Sequence, residues 1–167
     1  VKQMAGIRLF TLELTDPSGT SLTLEGGRDF EDADHPFYIA DATTTWAMRL
    51  DEACGLAGAA QRIAHRLSWA LEKGERPDAG PFFRRKLFDD KTFIVELGLA
   101  VIGECDTVYF QFGARRVHIS IERGDHLLYE LGRFADEAST IRRASRPEYE
   151  DPAHGWPLLG LRQVWRR

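Results

Sequence analysis

The chain has 167 residues, and its 43% hydrophobic, 29% charged and 11% aromatic content lies in the ordinary globular range, which excludes a disordered tail, a collagen and a coiled coil. A chain of this length buries roughly 70% of its unfolded surface, so it needs neither metal nor disulfide to fold, and one domain is the default. The 22 basic residues against 26 acidic ones leave a net charge of −4, which argues against a dedicated phosphate-backbone binder.

Residues Ile7 to Leu14 alternate, with Phe10, Leu12 and Leu14 on one face, and Leu22 and Leu24 follow the break Asp16-Pro17-Ser18-Gly19. This is the pattern of a hairpin with a three-residue loop, in which Pro17 fixes φ and Gly19 takes the left-handed position. It sets Leu14 opposite Leu22 and Leu12 opposite Leu24. An acidic stretch follows, then the short apolar piece Phe37-Tyr38-Ile39, whose preceding Pro36 predicts an edge strand. From Thr44 to Lys73, apolar and small residues at Trp46, Leu50, Ala53, Ala57, Ala60, Ala64, Leu67 and Leu71 trace one helical face. Gly74 is its stop, and Asp41 or a residue of Thr43 to Thr45 is its cap. Gly55 and Gly58 mark a place where the helix can kink or split.

Lys91 to Gly103 reads as one or two strands. A second hairpin follows, with Val108, Phe110 and Phe112 facing inward with Val117, Ile119 and Ile121. Pairing Phe112 with Val117 places Gln111 opposite His118 and Tyr109 opposite Ser120. Asp125 is the expected cap of a last helix with the face Leu127 or Leu128, Leu131, Phe134, Ala138 and Ile141. No repeat with a period of about 20 to 50 residues is visible. The expected architecture is α+β, a mainly antiparallel sheet covered on one face by a long Ala-rich helix and a C-terminal helix, spanning residues 1–145. Residues 146–167, which carry three prolines and two tryptophans, are expected to wrap it as an irregular segment.

Cys54 and Cys105 are too few for a disulfide framework, no signal-peptide core precedes Gly6, and no apolar run reaches the length of about 18 residues that a membrane span needs. A cytoplasmic protein, bacterial by its arginine-over-lysine bias, is the expectation. Dinucleotide, P-loop, hydrolase-elbow and zincin motifs are all missing.

Four groups of residues are candidates for function. The polar strand face Tyr109, Gln111, His118, Ser120 and Glu122 offers either a binding surface or an acid–base pair, His118 with Glu122. Cys105, with His118 or His126 as base, has the residue types of a thiol nucleophile but sits before a strand, where nothing lowers its pKa. The stretch Asp29, Glu31, Asp32, Asp34 and His35 lacks the alternating ligand spacing of a calcium loop, so no metal and no cofactor is expected. It does leave residues 1–41 with eight acidic against three basic residues, while residues 142–167 hold six arginines against three acids. The reading that fits best is a non-enzymatic protein-binding protein, an inhibitor of the immunity or antitoxin kind. It would dock a basic protein partner through Asp29, Glu31, Asp32, Asp34 and Tyr38, together with the polar hairpin face. The alternatives are a small hydrolase or transferase using His118 and Glu122, and a nucleic-acid accessory protein using the arginine-rich tail. Exposed sheet edges also allow a homodimer.

Overall fold

Inward-facing Leu12, Leu14, Leu22 and Leu24 build the first hairpin as the alternation requires, with Leu12 opposite Leu24 and Leu14 opposite Leu22. The Asp16 carboxylate closes its turn by accepting from the backbone N–H groups of Ser18 and Thr20, and Gly19 adopts φ 91°. The computed structural model describes residues 6–87 and 93–144. The hairpin strands are β1 (Gly6–Thr15) and β2 (Ser21–Asp29), followed by β3 (Phe37–Ala40), β4 (Thr45–Met48) and α1 (Leu50–Lys73). A second series repeats that order: β5 (Gly80–Leu87), β6 (Phe93–Ile102), β7 (Cys105–Phe112), β8 (Arg115–Ser120) and α2 (Ile121–Ala144).

The class is α+β, with two antiparallel four-stranded meanders, β1-β2-β3-β4 and β5-β6-β7-β8, in place of one sheet. Several local expectations change with it. The helical face assigned from Trp46 onward begins only at Leu50, because Trp46 and Met48 are inward residues of β4, where period two and period four coincide. Arg49 occupies the cap position, not Asp41 or a threonine. Pro36 does not mark an edge: β3 pairs with β2 and β4, and the proline stands just before the strand, where no donor is needed. The second hairpin turns at Gly113, with φ 69°, so Phe112 pairs with Arg115 and Phe110 with Val117. Register is thus displaced by two residues, which keeps the side chains up to Ser120 on their expected faces but makes His118 the partner of Tyr109 and Arg116 that of Gln111, while Ile121, expected on the strand, opens the helix that follows. The chain enters α2 at Ile121, so Asp125 lies inside the helix. Gly55 and Gly58 do not split α1, which runs unbroken to Gly74 in the left-handed conformation.

The strand pairings and the helices of the two series correspond residue for residue from β2 onward with an offset of 71. Gly27 pairs with Tyr38 and Gly98 with Tyr109, Phe37 pairs with Met48 and Val108 with Ile119, and both helices are 24 residues long. Each first strand carries a bulge, at Leu9 between Arg8 and Phe10 and at Phe82 between Pro81 and Phe83. The fold is therefore an internal duplication of a ββββα unit.

The helices are exchanged between the halves. Phe134 of α2 meets Phe10 of β1 and Phe37 of β3 edge-on, with ring centroids 5.4 Å away in both cases. The helix α1 lies against β5 and β6, and its Glu52 pairs with Arg85 of β5 at 2.7 Å. Arg62 of α1 donates to the bulge carbonyl of Phe82, and its counterpart Arg133 of α2 donates to the bulge carbonyl of Leu9. Each bulge leaves a carbonyl outside its own ladder, and the opposite half's helix satisfies it. Ala53, Leu56, Ala57, Ala60 and Ile63 of α1, and Leu127, Leu128, Leu131 and Phe134 of α2, are buried. Beyond them Leu67 is half-buried and Leu71 is 85% exposed, so the helical face read from the sequence outruns the core. Residues 1–136 form one compact unit, and residues 137–144 are the described part of a second. The irregular tail expected from residue 146 lies outside the described residues.

Candidate functional site

Strand alternation sends Glu96 of β6 and Tyr109 of β7 to the face of the second sheet away from the helices, and the absence of a side chain at Gly98 lets Tyr109 lie across the neighbouring strand β6. The Tyr109 hydroxyl donates to Glu96 Oε2 at 2.5 Å. Arg116 of β8 donates to the same oxygen at 3.0 Å through Nη2 and to Gln111 Oε1 at 3.0 Å through Nε, with its guanidinium 4.4 Å from the Tyr109 ring centroid. Arg84 of β5 pairs with the other Glu96 oxygen at 3.4 Å. Glu96 is thus a buried carboxylate held by two guanidinium groups and a phenol, an arrangement that offsets its desolvation. Burial and the Glu96 hydrogen bond raise the Tyr109 pKa far above that of an ordinary phenol.

His118 stands beside this group, its ring centroid 5.6 Å from that of Tyr109 and Nδ1 3.4 Å from the Thr107 hydroxyl. Burial, and then the charge of Arg116, holds the His118 pKa below its ordinary value, so the neutral imidazole is favoured. Ser120 ends the strand opposite Thr107 and is exposed. Glu122 is not part of this face: it lies in the first turn of α2, exposed, because the strand stops at Ser120. The expected His118–Glu122 pair therefore lacks its sheet geometry. Cys105 opens β7, exposed, opposite Ile102.

The first sheet carries the counterpart of the carboxylate–tyrosine pair. Tyr38, over Gly27, donates to Glu25 Oε1 at 3.0 Å, and Arg8 donates to Glu25 Oε2 at 3.2 Å. Tyr38 is 5% exposed, so this residue of the expected docking set is a packing element. Burial and Glu25 push its pKa up to about 12. Where the second sheet has Gln111, Arg116 and His118, the first has Ala40, Thr45 and Ala47. The elaborated polar face belongs to one half alone.

The acidic stretch divides into two groups. Asp29 is buried, and its Oδ1 accepts from the Glu31 N–H. Asp32 accepts from the N–H groups of Asp34 and His35 and lies 3.5 Å from His35 Nδ1, contacts that hold its pKa below the usual value. These two carboxylates shape the loop between β2 and β3, in the manner of Asx turns. Glu31 and Asp34 are exposed and, with Glu13 of β1, have no cationic partner among the described residues. No cluster of metal-ligating side chains occurs among the described residues, and no described helix is long and apolar enough to cross a membrane.

Glu96, Arg84 and Arg116 escape a strand-by-strand reading because they come from three different strands. Their signal in the sequence is the recurrence of Glu-x-Gly with Tyr eleven residues beyond the glycine, Glu25-Gly27-Tyr38 and Glu96-Gly98-Tyr109. Comparison with protein-family models, with curated proteins and with solved structures gave no match.

Proposed function

We propose that the protein is a non-enzymatic protein-binding module, an inhibitor of the immunity or antitoxin kind, whose first half docks a basic protein partner. The observation that supports this reading is the division of charge in a duplicated fold. Residues 6–48, the span of the first sheet, hold eight acidic and two basic residues, and exposed Glu13, Glu31 and Asp34 are not neutralised by neighbours. A surface of unpaired carboxylates steers a cationic partner and speeds its encounter.

The loop geometry decides which residues test the reading. Asp29 and Asp32 hold the backbone, so replacing them confuses docking with loop collapse. Glu31→Lys with Asp34→Lys reverses charge without removing those bonds. Against a partner captured with the wild-type chain, the double variant is expected to associate about tenfold more slowly at low salt, with a shallower dependence on ionic strength and a dissociation rate close to wild type. Equal association rates for the two proteins at low salt would exclude docking through this loop.

A further inference from the structure

The two halves of a duplicated fold provide an internal control: features that both share serve the fold, and exposed features of one half alone call for another reason. Beside α1 runs an open groove of about 650 Å³ lined by Gly58, Gln61, Arg62, His65, Arg66 and Trp69, with half-buried Phe82 also lining it. From Gly58 to Trp69 it extends about 16 Å along the helix. Arg62 has the structural task already described, shared with Arg133. The remaining positions diverge in chemistry. Where α1 has His65, Arg66 and Trp69, α2 has Asp136, Glu137 and Thr140, and Gly58 in the floor corresponds to Tyr129. The ββββα unit therefore tolerates acidic and small polar residues at these positions, and packing does not demand a cationic and aromatic set.

We infer that the α1 groove binds an acidic peptide segment of a partner protein, with an apolar side chain of that segment seated between Trp69 and Phe82. Among the described residues no acidic side chain lines the groove, and Arg66 and His65 are exposed and have no ion-pair partner. Trp69, 41% exposed on a helix, makes no ring contact among the described residues. Tryptophan and arginine are the side chains that dominate binding hot spots, and aromatic anchors flanked by charge are their common form. The neighbouring edge of β5 is guarded by Pro81, the bulge at Phe82 and the run Arg84-Arg85-Lys86, which discourages strand addition. The occupant is thereby held by side-chain contacts along α1. The groove is independent of the acidic surface of the first half, and the two proposals stand or fall separately.

The test uses the full chain and a labelled oligoglutamate peptide with a central phenylalanine, followed by fluorescence anisotropy. The triple variant His65→Asp, Arg66→Glu, Trp69→Thr installs the residues that α2 carries at the equivalent positions, and circular dichroism with thermal unfolding establishes that it folds. Wild type is expected to bind the peptide at least about tenfold more tightly than the triple variant, and than it binds the same peptide with serine in place of phenylalanine. Arg123→Glu, at an exposed position of α2, is expected to leave binding unchanged. Equal affinity of wild type and the triple variant, an equal loss in Arg123→Glu, or indifference to the phenylalanine would each overturn the assignment.

Discussion

Tyr109 donates to a buried carboxylate while a guanidinium covers its ring, and this single contact set explains two pH effects. A tyrosine whose pKa is raised on folding stabilises the protein fully below the unfolded value of 10.0, and that contribution is lost as pH rises through the folded value, about 12 for Tyr38 and higher for Tyr109. Stability is therefore expected to fall between pH 10 and 12. Tyr38→Phe and Tyr109→Phe should each flatten that slope in urea titrations while costing about 1–2 kcal/mol at neutral pH, since each leaves a carboxylate short of a donor. His118 acts in the opposite direction. Its pKa is lowered from 6.5, so the unfolded chain takes the proton first, and the contribution present above pH 6.5 is lost as pH falls through the folded value. Proton NMR should find the His118 ring titrating below a free imidazole, and Arg116→Gln should move it upward. An unmoved titration would mean that Arg116 is too well screened to matter.

At the scale of elements, glycines report on how closely neighbouring strands, and in one case a strand and a helix, approach. A Cβ at Gly98 would stand 2.4 Å from the Gly80 carbonyl oxygen and 2.7 Å from the Tyr109 hydroxyl, and one at Gly27 would stand 2.2 Å from the Ile7 carbonyl oxygen. Gly98→Ala and Gly27→Ala are expected to cost about 2–4 kcal/mol in chemical denaturation. Helical Gly55 and Gly132 have room, with nothing nearer than Phe83 at 3.6 Å for the first and nothing within 4 Å for the second. Replacing either by alanine should stabilise the protein by about 0.5–1 kcal/mol, whereas Gly124→Ala, 2.8 Å from a Val108 methyl, should destabilise it. Strands were legible wherever one face is buried and the other wet, as in Leu12, Leu14, Leu22 and Leu24. The pattern is ambiguous at Trp46, which stands four residues before Leu50 and fits a helical stripe as well as a strand, and only the pairing of β4 with β3 decides. The two-residue displacement of the second hairpin has a related cause, because hydrophobic parity cannot tell two-step registers apart and the turn at Gly113 decides.

Over the whole molecule, duplication and helix exchange make the halves interdependent. Phe134 of the second half completes the core under the first sheet, and truncation to alanine is expected to cost about 3–5 kcal/mol. Because the exchange links the sheets, amide hydrogen exchange should accelerate in β6 and β7 of Phe134→Ala as well as in β1 and β3, as one cooperative unit requires. Acceleration confined to β1 and β3 would show that the sheets open separately. The duplication was hidden from the sequence by its long period and by the few identities at the offset, among them Glu25 with Glu96, Gly27 with Gly98, Tyr38 with Tyr109 and Arg62 with Arg133. What the halves do not share is charge. The first carries exposed acids, while the second concentrates Arg84, Arg85, Lys86, Arg115 and Arg116 on its strands. Acidic composition was visible in the chain, but the separation of loop-shaping Asp29 and Asp32 from outward Glu31 and Asp34 depends on backbone hydrogen bonds that no composition reveals.

The most direct test of the proposed function is affinity capture from a lysate of the native host, at low and moderate salt, with three baits: wild type, Glu31→Lys with Asp34→Lys, and the α1 groove variant. Docking through the first half predicts one stoichiometric basic protein on the wild type and on the groove variant, released as salt rises and missing from the charge-reversed bait. The same protein retained on the charge-reversed bait, or nucleic acid in its place on the wild type, would contradict it.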